Sequence, residues 1–168
     1  MRSLSRMFLA AMAAAVAGCA SYSWRPSVPD GSRTVAVPVF RNDSDVSALG
    51  SAVARQTLRE FQREGTFSIA PADECALEVQ GVVTEASSGT VAYERRTGAR
   101  NRERRFKATA AVSFVDKAGG RILLERKYKA ETTFLVNDDV VTGERDASGR
   151  LAEDFARQIV DDALSLKW

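Results

Sequence analysis

The sequence predicts an α+β domain. The expected form is a two-layer sandwich, with two helices packed on one face of a four-stranded, mostly antiparallel sheet in the order β-α-β-β-β-α. Three observations carry this expectation. Apolar and polar residues alternate with period two in three successive segments between residues 76 and 134. Residues 46–64 and 148–166 instead place their apolar side chains at helical spacing. Between the second and third alternating segments, Asp116-Lys-Ala-Gly-Gly120 has the composition of a hairpin turn.

The first strand is expected in Thr34-Val-Ala-Val-Pro-Val-Phe40, which is rich in β-branched residues. Pro38 cannot donate to a ladder, which places it at an edge or a strand end. Arg41-Asn-Asp-Ser-Asp45 is a turn rich in residues that start helices. From Val46 to Glu64, one half of the helical wheel holds Val46, Leu49, Gly50, Val53, Ala54, Thr57, Leu58 and Phe61, and the other holds Arg55, Arg59, Gln62 and Arg63. Gly65 ends that helix, and Thr66–Pro71 is a short extended piece.

The second strand, Ala76–Glu85, alternates Leu77, Val79, Gly81 and Val83 against Glu78, Gln80 and Thr84. The third, Arg105–Asp116, turns Phe106, Ala108, Ala110, Val112 and Phe114 to one side. The fourth, Arg121–Phe134, sets Ile122, Leu124, Tyr128 and Ala130 against Glu125, Lys127, Lys129 and Glu131, so its second face is wet or meets a polar partner. The closing helix, Ser148–Leu166, carries a stripe of Leu151, Ala152, Phe155, Ala156, Ile159 and Ala163, with Glu144-Arg145-Asp146 expected just before it as a cap. The acidic neighbours Glu153–Asp154 and Asp161–Asp162 read as solvated, because adjacent helical residues diverge by about 100° and do not converge on a substrate.

Composition narrows the chemistry. The 168 residues include 24 Lys and Arg, 22 Asp and Glu, 2 Cys and no His. The first 18 residues hold Arg2 and Arg6 and no acid, so the remaining 150 are charge-balanced. A balanced chain lacks the concentrated positive charge on which nucleic-acid affinity depends. Absence of His removes the commonest metal ligand and the commonest general base near neutral pH. Two Cys alone cannot complete a four-ligand zinc site. No glycine-rich nucleotide loop, nucleophile elbow or paired ligand spacing is present. The expectation is a non-enzyme without a cofactor.

The N-terminus carries the strongest signal. Met1-Arg-Ser-Leu-Ser-Arg6 is basic, and Met7 to Ala17 is an apolar run of 11 residues. Spanning a bilayer takes roughly 20 such residues, so the run reads as the core of a signal peptide. Val16-Ala17-Gly18-Cys19 resembles the bacterial lipobox, in which the Cys thiol is joined to diacylglycerol and becomes the new N-terminus. The expected organisation is a signal peptide over 1–18, the lipidated Cys19 with a tether over 19–33, and a single domain over 34–168. Several acyl chains hold a protein stably on a membrane, each buried methylene contributing roughly 0.8 kcal/mol. Ala20 and Ser21 follow the Cys; by resemblance to Gram-negative lipoproteins, the absence of Asp next to the Cys implies sorting to the outer membrane. Cys75 is then a lone thiol, read as buried and inert.

One internal segment departs from the background. Tyr93–Lys107 holds seven basic residues, Arg95, Arg96, Arg100, Arg102, Arg104, Arg105 and Lys107, against two acids. It reads either as a solvated hairpin loop or as a loop that faces anions, since guanidinium forks grip phosphate bidentately. An anion-facing loop on an outer-membrane lipoprotein would meet the phosphorylated core of lipopolysaccharide or an acidic protein surface.

Several motifs in order resemble one family: Cys19 with Tyr22 after it, Thr34-Val-Ala-Val-Pro-Val-Phe-Arg-Asn42, Phe61-Gln-Arg-Glu-Gly-Thr-Phe67, Leu77-Glu-Val-Gln-Gly81, Thr132-Thr-Phe134 and Gly143-Glu-Arg145. Together they resemble the LptE family of lipopolysaccharide-assembly lipoproteins over nearly the whole mature chain. The Arg-rich loop departs from that family pattern and maps onto no binding motif. The resemblance implies a non-catalytic, lipid-anchored protein on the periplasmic side of the cell outer membrane. Such a protein plugs and helps assemble the LptD β-barrel and contacts lipopolysaccharide. The alternative is a periplasmic lipoprotein regulator of a peptidoglycan synthase, which also opens with a Val-Ala-Val strand and an Asn-rich turn. Only 14 residues separate Cys19 from the first strand, a reach of roughly 45–50 Å, which favours a partner in the same membrane.

Overall fold

The computed structural model describes residues 28–93, 102–136 and 140–168. Strands β1 (Thr34–Ala36) and β2 (Arg41–Asn42) precede helix α1 (Leu49–Glu64). Then follow β3 (Ser68–Ile69), β4 (Leu77–Tyr93), β5 (Arg102–Asp116), β6 (Arg121–Val136) and helix α2 (Val140–Leu164). The strands form one six-stranded sheet in the order β3-β1-β4-β5-β6, with β2 also pairing with β4. Both helices lie on the same face of it.

The α+β class and its two helices are as expected; the sheet is not. It has six strands instead of four, and it is mixed. β1 runs parallel to both β3 and β4, and β2 runs parallel to β4 through Arg41↔Val82 and Asn42↔Val83. β4–β5 and β5–β6 are antiparallel. Two physical causes account for the difference. Pro38 has no N–H, so the expected strand 34–40 splits into β1 and β2, which lie end to end along one edge of β4. α1 then returns the chain to the end where β1 begins, so β3 and β4 start there and must run parallel to it.

Phe40 fills the break between β1 and β2 and is 2 % exposed. Its ring lies against Gly81 of β4, where a Cβ would stand 2.4 Å from ring carbons. Its carbonyl oxygen lies over Gly50, where a Cβ would stand 2.4 Å away. Neither position has room for a side chain. The turn behind it is set by Asn42, whose side-chain oxygen accepts from the Ser44 amide (3.2 Å) and hydroxyl (2.7 Å) while its amide donates to Val46 O (2.7 Å). α1 therefore starts at Leu49 and not at Val46. It ends as expected at Gly65, whose φ of 83° only glycine adopts readily and whose N–H donates to Phe61 O.

The other boundaries moved outward. β4 runs to Tyr93 instead of Glu85, β5 starts at Arg102 instead of Arg105, and β6 continues to Val136. α2 begins at Val140, eight residues before the expected Ser148, so Glu144, Arg145 and Asp146 lie inside it and do not cap it. Gly143 is tolerated in that helix because the Phe134 ring packs where its Cβ would be, 2.8 Å from Cδ2. Ile122 is also corrected. A register shift between Phe114 and Val115 sets it opposite Val115, and it is exposed.

The core lies between the sheet and the helices. Phe61, Phe106, Phe114, Phe155, Leu151, Ile159 and Val79 are fully buried there. At the end called the base, Phe67 stacks near Trp168 (centroids 6.4 Å apart) and the 117–120 hairpin meets the start of β4. α2 also covers the free edge of β6: Gln158 donates to Lys129 O (3.3 Å) and Arg150 to Thr133 O (3.1 Å), which blunts that edge against pairing with another chain.

Phe114→Ala and Phe155→Ala should each cost roughly 3–5 kcal/mol in chemical denaturation, as expected for a ring removed from a closed core. Gly81→Ala should cost roughly 1–3 kcal/mol by overpacking against Phe40. A loss at Gly81 below about 0.5 kcal/mol would mean that the Phe40 ring moves aside freely.

Candidate functional site

β4 has 17 residues, a length of roughly 55 Å. Its pairing with β2 stops at Val83, and beyond that point β4, β5 and β6 continue as a three-stranded arm. The arm ends at Tyr93 and Arg102, so the basic segment sits at the far end from the base. Val28, whose carbonyl oxygen lies 3.5 Å from Arg33 Nε, is at the base. The chain leading to Cys19 and the basic segment thus leave the domain at opposite ends.

Of the seven basic residues singled out, Arg95, Arg96 and Arg100 lie outside the described residues, and Arg102 is placed only as the first residue of β5. Arg104 and Arg105, being neighbours in a strand, point to opposite faces. Arg104 turns to the helix side, where Nη1 lies 3.5 Å from Glu144 of α2 and Nη2 donates to Ser88 O at 3.3 Å. The Ser88 hydroxyl donates to the same Glu144 carboxylate at 2.9 Å, tying β4, β5 and α2 together. Arg105 and Lys107 point to the open sheet face and converge on Glu131, at 3.6 Å and 3.3 Å. The structure therefore brings Arg105 and Lys107 together and holds Arg104 apart.

That open face is the one left uncovered by either helix. Around Glu131 it forms a shallow hollow of about 490 Å³ lined by Glu85, Ser87, Lys107, Thr109 and Lys129. Its two signs of charge alternate, as the sequence expected of a wet or polar-partnered face.

A second hollow lies on the helical side. The two helices run in the same direction, from the arm towards the base, but α1 has 16 residues and α2 has 25. The difference amounts to roughly 13 Å of helix, so the first turns of α2 overhang the start of α1. The step encloses a groove of about 740 Å³, walled by Val46, Ala48, Leu49, Ala52 and Val141, with Arg55 and Arg145 also lining it. Sequence reading did not identify this site. The available signal was the spacing of Val141, Glu144, Arg145, Ser148 and Gly149, which continues the stripe of the closing helix upstream by two turns.

Two further polar clusters are structural. The Tyr128 hydroxyl donates to Asp162, which also accepts from Arg126 Nη1 at 2.7 Å and 2.8 Å. Asp162 is thus not a solvated residue; it pins the end of α2 to β6. Burial, with the Asp162 carboxylate beside it, pushes the Tyr128 hydroxyl well above the usual tyrosine range. At the base, the Glu78 carboxylate accepts from Lys117 Nζ at 2.8 Å and from the Gln80 side-chain amide at 3.0 Å, and these bonds hold its carboxyl below the usual range. Cys75 is buried as expected, and burial raises its thiol pKa, which makes the thiolate scarcer. Among the described residues no group of three or more Cys, Asp or Glu could hold a metal, and no helix is long and apolar enough to cross a membrane.

The fold is similar to that of several bacterial proteins of known structure. A lipoprotein from Caulobacter crescentus CB15 superposes with a TM-score of 0.53 at 14% identity, covering 76% of this chain and 89% of that one. A minor lipoprotein from Acinetobacter baumannii gives 0.51 at 12% identity, covering 80% and 96%. A neuraminyllactose-binding hemagglutinin homolog from Helicobacter pylori gives 0.55 at 10% identity, covering 84% and 88%. At these identities the likeness is one of fold. Among curated proteins, none matches this chain in sequence.

The family follows from the sequence itself. The model of the LptE family, described as lipopolysaccharide-assembly, matches residues 32–163, and the chain belongs to that family. The family is one of non-catalytic, outer-membrane-associated lipoproteins with a role in lipopolysaccharide assembly.

Glu78 yields a pH prediction. A carboxyl whose folded pKa lies below its unfolded value adds stability that is fully present above the unfolded pKa, about 4.3, and is lost as pH falls through the folded value. Glu78→Gln should therefore lower the denaturation midpoint at pH 7 and have a smaller effect at pH 3. An equal effect at both would mean that the Lys117 pair contributes nothing. Tyr128→Phe leaves Asp162 one donor short and should cost about 1–3 kcal/mol by the same assay.

Proposed function

We propose that this protein is an outer-membrane lipoprotein, anchored through acyl chains on Cys19 and facing the periplasm. There it plugs and helps assemble an LptD-type β-barrel and assists the insertion of lipopolysaccharide. The observation that carries the reading is the family match over residues 32–163, joined to the lipobox that ends in Cys19. The geometry supports it. The anchored end and the basic arm lie at opposite ends of a domain whose long axis is set by β4, so a chain held at one end presents its cations at the other. The arm and the open sheet face are polar with both signs of charge, which suits the polar interior of a large barrel.

The proposed contact residues are Arg95, Arg96, Arg100, Arg102, Arg104, Arg105 and Lys107. Within that set, Arg104 acts from inside the arm, because Glu144 and Ser88 O already hold its guanidinium. Arg105 and Lys107 share one carboxylate between two cations on the open face. Residues 1–18 are the signal peptide removed before acylation, and 20–33 are the tether.

Three experiments test this. Intact mass after membrane extraction should exceed that of the 19–168 polypeptide by several acyl chains, and Cys19→Ala should lose both the added mass and the membrane fraction. An unmodified Cys19 in the native host would end the anchor. Co-purification from detergent-solubilised outer membranes should bring down a large β-barrel; recovery of a peptidoglycan synthase instead would favour a regulator. Replacing Arg95, Arg96 and Arg100 with Ser should change stability by no more than roughly 0.5 kcal/mol each. The same triple variant should bind lipopolysaccharide or barrel more weakly, with the larger difference at low salt, since exposed charges are screened over about 10 Å at 0.1 M. Identical binding curves for both ligands would remove these arginines from the contact set.

A further inference from the structure

The groove at the step between the helices has two properties that occur together nowhere else among the described residues. Its walls are apolar, formed by Val46, Ala48, Leu49, Ala52 and Val141, and Val141 is 67% exposed. It also holds Arg55 and Arg145. Every other arginine with a described side chain has a hydrogen-bond or ion-pair partner: Arg33, Arg41, Arg59, Arg63, Arg104, Arg105, Arg121, Arg126, Arg150 and Arg157. Arg55 and Arg145 have none, and both line this groove. Of its two carboxylates, Glu144 is already taken up by Arg104 and Ser88, which leaves Asp45 against two guanidinium groups. The local balance is positive.

A volume of about 740 Å³ falls within the range of small-molecule sites, which are mostly apolar with a few placed polar groups. The walls are helix surface and the turn before α1, so they offer no strand edge to an extended peptide. A fatty acyl chain needs no hydrogen bonds and loses nothing on entering such a groove, whereas a buried peptide amide without a partner is costly. An anionic group at the head of that chain would meet two cations that lack any other partner. We propose that the groove between the first turns of the two helices binds an acyl chain of a phosphorylated lipid, with Arg55 and Arg145 facing its anionic head. The lipid committed to is lipopolysaccharide, and that choice rests on the function proposed above.

The test uses the full-length lipoprotein in membranes, with a photo-reactive phenylalanine placed at Ala48 or Val141, both exposed. Control positions are Arg59 and Gln62, both exposed on the outer side of α1. After irradiation, mass analysis should show lipopolysaccharide adducts at Ala48 and Val141 and none at the controls. Adding Arg55→Glu and Arg145→Glu, both at solvent-exposed positions, should cut the yield at Val141 about tenfold, with an unchanged circular-dichroism spectrum. Adducts only with phospholipid, adducts only with protein, equal labelling at Arg59 and Gln62, or a yield unaffected by the charge reversals would each overturn the proposal. Barrel co-purification with the same variants separates the two readings. A chain that brings down the barrel but yields no groove adduct sinks the groove alone, whereas groove adducts without a barrel sink the assembly role.

Discussion

The seat of Phe40 is the contact on which most of the architecture depends. Pro38 interrupts the first strand, and the chain must bridge from β1 to β2 without leaving an opening in the core. The Phe40 ring closes that opening, and it can do so only because Gly81 leaves the face of β4 bare and Gly50 lets the backbone approach α1. One side chain thereby sets how closely the break between two short strands approaches both β4 and α1. The price is that two positions of otherwise ordinary apolar patterning must remain glycine.

From that starting point, the difference between the two helices follows. α1 cannot begin earlier than Leu49, because Asn42 and its partners hold residues 42–46 in a turn. α2 has no such restraint and begins at Val140, close to the end of β6. The step between them opens the apolar groove, and the strands that run past α1 become the arm. The two candidate surfaces, one basic and one apolar with cations at its side, therefore arise from a single mismatch in length. Both lie towards the end of the domain opposite the chain that leads to Cys19.

Charge pairing divides the molecule in the same way. Towards the base, carboxylates and cations are matched in partly buried clusters: Glu78 with Lys117, Asp162 with Arg126 and Tyr128. These tie hairpin to sheet and helix to sheet, and leaving one partner of such a pair unmatched costs more than the pair contributes when intact. Towards the arm, the matching is incomplete. Arg105 and Lys107 share Glu131, and Arg55 and Arg145 have no partner.

By itself the sequence determined the class of fold, because period-two and helical spacing report which side of each element is apolar. It also determined the two helix faces, the hairpin at 117–120 and the burial of Phe114 and Phe155. Gly65 was legible as a helix stop, and the open face of β6 as polar. The parallel strands β2 and β3 were not legible, since two-residue strands have no period to detect and their pairing depends on where α1 returns the chain. The early start of α2 was hidden by Gly143, which local propensity disfavours and the packing of Phe134 offsets. The roles of individual charges were the least legible of all. Asp162 finds Arg126 across 36 residues and Glu144 finds Ser88 across 56. Only the tertiary structure decides which guanidiniums such contacts consume, and so only it singles out Arg55 and Arg145, because pairing is a property of what lies opposite and a sequence pattern records one side alone.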